Sequence, residues 1–209
     1  MKNLVTYDNF LTNEDFNKLT SLKIDNVKET STKVYHNSIS SNGVINNSLI
    51  DNELLKKLHS NYHSKAIEIL KNIAPKKVDL YDYSEFMIIK SGKNYKFPIH
   101  DDTPNKLLSG VIYLYPEKNT GTLFYSDKKG SDRELIDWKP NRAVFFSRIE
   151  RKTWHSFEGD GKSDRIVLVY NLVAKNLKKV FKVEGTNFII GYLRYKLNPY
   201  IYRIFKKTI

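Results

Sequence analysis

Cysteine is absent from all 209 residues. With it go disulfides, thiolate-held zinc, iron–sulfur clusters and thiol nucleophiles. Any metal must therefore rest on histidine and carboxylate. Long apolar runs are missing too: no stretch of eighteen or more apolar residues occurs, so no segment is expected to span a bilayer. The opening Met1-Lys2-Asn3-Leu4 meets Asp8, Glu14 and Asp15 before an apolar core develops, which argues against a secretory signal and for a cytoplasmic location. Acids are the scarce charge, 23 Asp and Glu against 35 Lys and Arg, for a net +12. Such an excess ordinarily raises nucleic acid, anionic membrane or acidic substrates as partners. Its distribution tempers that reading: residues 178–209 hold eight Lys and Arg against Glu184 alone, so +7 of the +12 lies there. Nucleic acid is the least favoured partner, because no aromatic set placed for base stacking stands apart from strand packing.

What is present describes a globular chain, 40% hydrophobic and 28% charged, long enough to bury a real core. Three regions are expected within one structural domain: 1–77 helical or irregular, 78–175 β-rich, and 176–209 a basic, aromatic extension. Thr12 or Asn13 can cap a short helix carrying Phe16, Leu19 and Leu22. The Ser-, Asn- and Thr-rich stretch 28–47 reads as irregular or edge strand. From Asp51 to Ile73, the apolar positions Leu54, Leu58, Tyr62, Ala66, Ile69 and Ile73 predict an amphipathic helix closed by Pro75. Its His59 and His63 stand at i and i+4, but the zincin Glu is missing, and they read as solvated surface histidines.

Beyond Val78, eight short runs are separated by turn signals: 85–90, 97–100, 107–115, 122–126, 134–138, 142–147, 153–157 and 165–173. This spacing predicts a double sheet or jelly roll. The expected class is α+β, mainly β: a double-stranded β-helix with N-terminal supporting helices and a basic C-terminal helical extension. In the extension, Phe188, Tyr192 and Tyr195 share a helical face before a break at Asn198-Pro199. Ile201 and Phe205 follow, among Arg203, Lys206 and Lys207. The plain reading is a helix pair covering one sheet; the sharper one is contact with an anionic membrane or an acidic partner.

The chemistry concentrates in Phe97-Pro98-Ile99-His100-Asp101-Asp102. In a strand, residues i and i+2 share a side, so His100 and Asp102 can reach one metal while Asp101 points away. Composition alone predicts about 0.3 His-x-Asp matches in a chain like this, so corroboration is needed. His155, in the strand-like Thr153–Phe157, supplies a third ligand if a sandwich folds it back; by itself it would read as a core or rim histidine. Two His and one carboxylate leave the opposite metal face open, a set that suits iron(II), although Mn, Co, Ni or Zn can use the same atoms. Ten residues on, Arg165 heads the apolar run Ile166–Tyr170. A hairpin over 158–164 is expected to lay that run beside the His155 strand. An Arg there needs an anion: a bound carboxylate, or an ordinary salt bridge to Asp164 or Glu158.

In this order, His100-x-Asp102, distal His155 and then Arg165, the chain resembles the iron(II)/2-oxoglutarate-dependent dioxygenase superfamily, specifically its prolyl hydroxylase-like branch. Lys90-Ser91-Gly92 leading to His100, Val111-Ile112-Tyr113-Leu114-Tyr115, Gly121-Thr122-Leu123-Phe124 and the opening Phe10-Leu11 with its helix extend the likeness. The resemblance implies Fe(II), 2-oxoglutarate as co-substrate and O2. Arg165, Tyr113 and Lys90 would be co-substrate contacts, although many members carry a tyrosine where Lys90 stands. It implies hydroxylation, with release of succinate and CO2, of a protein residue, amino acid, sugar or lipid-linked compound. Asp102 matters here, since halogenases of the superfamily typically lack the carboxylate. The alternative is a jelly-roll binding protein with a vestigial or non-redox metal site, acting through its basic C-terminal surface. Substrate loops are expected at 28–47, 103–107 and 127–133.

Overall fold

A computed structural model describes residues 4–205. The strands are β1 (Leu4–Tyr7), β2 (Thr32–Ser40), β3 (Gly43–Asn46), β4 (Tyr83–Ser91), β5 (Lys96–His100), β6 (Lys106–Tyr115), β7 (Thr122–Tyr125), β8 (Glu134–Ile136), β9 (Ala143–Phe146), β10 (Trp154–Glu158) and β11 (Arg165–Val173). The helices are α1 (Asn13–Thr20), α2 (Asn52–Ile73), α3 (Leu177–Glu184) and α4 (Phe188–Phe205). Two antiparallel sheets form, one ordered β1-β9-β6-β11-β4-β2-β3 and one β5-β10-β7-β8, and no closed barrel occurs among the described residues. From β4 to β11 the chain passes repeatedly between the sheets, so strands far apart in sequence become neighbours. That is the jelly-roll pattern expected from the eight runs.

Each sheet residue chooses a face by parity. On β4, Phe86 and Ile88 enter the core under the helices, while Met87 and Ile89 turn toward the space between the sheets. The helix-side core is closed by α2, whose Leu55, Leu58, Ala66 and Leu70 are fully buried against the large sheet. Of the two candidate caps of α1, Thr12 serves, accepting from the Asp15 amide; Asp51 caps α2 in the same way, accepting from the Leu54 amide. Buried Asn37 organises the approach to α2, because its Oδ1 accepts from the amides of Ser48, Leu49 and Ile50 at 3.0–3.1 Å.

Several expectations are corrected. The stretch 28–47 contains two regular strands: β3 is an edge strand, as read, but β2 is internal to the large sheet, hidden because its first half is mostly exposed and its buried half carries the polar Asn37 and Ser38. β1 also went unread, since four residues carry too little pattern. His59 and His63 are half-buried and stacked, ring centroids 4.6 Å apart, with Tyr81 against His63. Burial lowers both imidazoles below their ordinary range. The C-terminal helices join the helix-side core through α3, whose Val180 belongs to it. α3 buries Val180 and Phe181 and packs on the short turn Pro75–Leu80 and on α4, whose outer side is bare. Asn198-Pro199 does not break α4, which continues to Phe205; a proline deletes one backbone donor without obliging the helix to end. Lys206, Lys207 and the side chains of Arg203 and Phe205 lie outside the described residues. No described helix is long and apolar enough to cross a membrane.

Candidate metal centre

The topology makes neighbours of β5 and β10, with His100 directly opposite His155 in antiparallel register. Their rings stand 4.1 Å apart by centroid. Asp102, just past the end of β5, completes a cluster whose three ligating atoms lie within 4.8 Å of one another. The histidines are oriented alike. His100 Nδ1 lies 3.0 Å from the Pro98 carbonyl oxygen and His155 Nδ1 3.0 Å from that of Thr153. A carbonyl only accepts, so Nδ1 carries the proton in both rings and Nε2 keeps the lone pair a metal needs.

Asp102 is buried and held at both oxygens, by Lys106 Nζ at 2.7 Å and Ser109 Oγ at 2.5 Å. Burial pushes its carboxyl up, but its surroundings, the Lys106 ammonium foremost, outweigh that and hold it well below the usual carboxylate range. Burial, reinforced by His155, drives the His100 imidazole down to about 3, so it stays neutral and able to ligate. Phe97 packs edge-on to His100, and Phe146 edge-on to His155. Asp101 points the other way, as its odd position requires. It accepts from Thr153 Oγ1 at 2.8 Å and the Arg151 amide at 3.0 Å, and faces Arg148 Nε at 3.5 Å, tying the end of β5 to the loop before β10. The donor set, two imidazoles turned alike and a carboxylate held ionised, fits a divalent metal that keeps open positions.

Arg165 opens β11 and lies in the wall of the same cavity as the triad, a space of about 280 Å³. Most of the remaining wall is apolar, including Met87, Ile89, Val111, Phe157 and Val167. The expected hairpin is not formed. Both edges of β10 are already taken by β5 and β7, so residues 159–164 cross to the large sheet, where β11 pairs with β4 and β6. Arg165 therefore faces the His155 strand across the sandwich, its guanidinium carbon 3.9 Å from the Phe157 ring centroid. It is 2% exposed. One long hydrogen bond, 3.4 Å to Thr122 Oγ1, is made, and Nε has no partner. The acids that might have paired with it are engaged elsewhere: Asp164 with Lys90 at 3.4 Å, and Glu158 with Lys96. Burial without a counterion lowers the guanidinium to about 10.

Tyr113 is fully buried, stacked on Trp138, and donates to Thr122 Oγ1 at 2.8 Å. Thr122 thus links Tyr113 to Arg165. Lys90 has the parity of Phe86 and Ile88 and does not line the cavity. Lys106, Ser109 and Thr122 were not singled out in the sequence. Parity carried one signal, since Ser109, Val111 and Tyr113 alternate on one face of β6; Lys106 gave none beyond its place four residues after Asp102. Of the expected substrate loops, 28–47 supplies Thr32, Val34 and His36 to the cavity and 103–107 supplies Lys106, while 127–133 supplies nothing.

No family model and no curated protein sequence matches the chain. Solved structures do match. A prolyl-4-hydroxylase from Pseudomonas putida superposes with a TM-score of 0.55 at 12% identity, over 83% of this chain and 94% of the other. A prolyl hydroxylase from Trichoplax adhaerens, solved with a peptide fragment of the hypoxia inducible factor oxygen degradation domain, gives 0.56 at 12% identity over 88% and 87%. A 2OG-Fe(II) oxygenase family oxidoreductase from Burkholderia pseudomallei gives 0.58 at 11% identity over 82% and 84%. At these identities the likeness establishes the shared jelly-roll fold.

Proposed function

We propose that the chain is an iron(II)- and 2-oxoglutarate-dependent oxygenase that hydroxylates an unactivated C–H bond. One observation carries this reading: the cavity that gathers His100, Asp102 and His155 also contains a buried guanidinium with no carboxylate of its own. A buried cation is costly unless an anion meets it, and a keto-dicarboxylic acid can bind the metal at one end and Arg165 at the other. Bound iron and co-substrate supply the oxidising chemistry, in which 2-oxoglutarate, O2 and the substrate C–H give succinate, CO2 and the alcohol.

The chain's residues do the positioning. His100 and His155 offer Nε2, and Asp102 a carboxylate steadied by Ser109. Arg165 pairs with the distal carboxylate, with Thr122 and Tyr113 ordering its surroundings. Lys90 acts from outside the cavity by holding Asp164 away from Arg165. The apolar walls exclude water around the reacting bond. The substrate occupies the same cavity, whose wall includes Val34 and Tyr95, and is a protein residue, amino acid, sugar or lipid-linked compound presenting an aliphatic carbon. A reducing cytoplasm suits both the cysteine-free chain and ferrous iron. The test is succinate formation from 2-oxoglutarate with Fe(II) and O2 across pools of such compounds. A compound that stimulates succinate release and gains one oxygen supports hydroxylation; release indifferent to Asp102→Ala opposes it.

A further inference from the structure

The outer side of α4 carries Ile189, Leu193, Leu197 and Tyr200, each between 48% and 68% exposed. Spacings of four, four and three place them in one stripe. The opposite side packs inward, with Gly191 against the Phe181 ring, where a Cβ would come within 2.4 Å. A contiguous apolar stripe of this size on an exterior helix marks a contact surface. Its flanks identify the contact. On one side, Lys178, Lys179 and Lys182 surround a shallow cleft with Phe188. On the other lies a larger cleft of about 660 Å³, with Lys76, Arg151 and Lys152 near Ile190. None of these six cations has an acid partner among the described residues. The local acids are consumed internally, Glu184 by Lys77 and Arg148, and Glu150 by Arg194 and Thr186.

We propose that α4, with the basic clefts beside it, docks on the surface of an anionic lipid bilayer. The helix would lie in the interfacial plane, its stripe among the upper acyl chains and its flanking lysines and arginines against lipid phosphates. It is not apolar enough to cross. A second copy of the chain is disfavoured as occupant because a two-fold contact would bring like-charged clefts together. Docking would hold the cavity close to a membrane without entering the chemistry of the metal centre.

Co-sedimentation of the full chain with phosphatidylcholine vesicles, with and without about a third phosphatidylglycerol, tests this, since each cation near such a surface adds to binding. Binding to the anionic vesicles should be at least tenfold tighter than to neutral ones and should weaken with added salt. It should fall more than tenfold in Leu193→Glu and in the triple variant Lys178→Glu, Lys179→Glu, Lys182→Glu. Unchanged cobalt(II) affinity in these variants verifies that the fold is kept, whatever reaction the metal centre performs. Equal binding to both vesicle types, or to neither, overturns the proposal. So does a concentration-dependent dimer that Leu193→Glu disperses, which would assign the stripe to a second copy.

Discussion

The Arg165 guanidinium carbon rests 3.9 Å from the Phe157 ring centroid, and its one hydrogen bond among the described residues is the 3.4 Å contact to Thr122 Oγ1. An arginine in this state lowers the stability of the ligand-free fold. Its charged form is disfavoured by burial, so the cost is present at neutral pH and relieved as pH rises through its folded value of about 10. A depression of this size corresponds to a cost on the order of 3 kcal/mol. Arg165→Met should therefore raise the ligand-free melting temperature by a few degrees. Adding 2-oxoglutarate to the Mn(II)-loaded protein should raise the melting temperature further in the parent chain and much less in the variant. Scanning calorimetry decides; a variant melting well below the parent would show that Arg165 is structural.

Anion binding should follow the same titration. Affinity for 2-oxoglutarate is expected to stay flat between neutral pH and about pH 9, then fall about tenfold per unit once the guanidinium, at about 10, loses its proton. Titration calorimetry in the presence of Mn(II) measures this.

Asp102 is gripped by two partners with opposite consequences for a metal. The Ser109 hydroxyl orients the carboxylate without competing for it, so Ser109→Ala should weaken Co(II) binding roughly 10- to 100-fold. The Lys106 ammonium is a rival cation on the same group. Lys106→Met should leave metal binding as tight or tighter, and a large loss would contradict this assignment.

Asp101 stitches β5 to the loop before β10 through Thr153, Arg151 and Arg148. Asp101→Ala leaves buried donors unmet and should cost about 2 kcal/mol of stability. Urea unfolding checks the magnitude, and Co(II) affinity should drop with the displaced loop.

Much of this was legible in the sequence, for physical reasons that differ by element. α2 was readable because about six turns of helix cannot hide a 3.6-residue period, and Asp51 and Pro75 mark its ends. The eight runs from β4 to β11 were readable by length and turn signals. That His100 and His155 serve one metal was read from their order with Asp102 and Arg165; their direct cross-strand register was not, because register between strands fifty-five residues apart depends on how the sheets fold over. The hairpin expected after Glu158 failed for the same reason: local turn chemistry cannot reveal that both edges of β10 are occupied. Ser109 and Thr122 were overlooked because a small hydroxyl in a strand looks like any other until its partner, Asp102 or Arg165, is placed beside it.

The most direct measurement is anaerobic addition of Fe(II) and then 2-oxoglutarate, followed by visible absorption spectroscopy. A metal-to-ligand charge-transfer band of the keto-acid chelate should develop in the parent chain, be abolished in His155→Ala, and require far higher 2-oxoglutarate in Arg165→Met. If Fe(II) binds and no band develops, or if the band ignores both substitutions, the cavity does not hold a keto acid on iron and the proposed oxygenase chemistry is wrong.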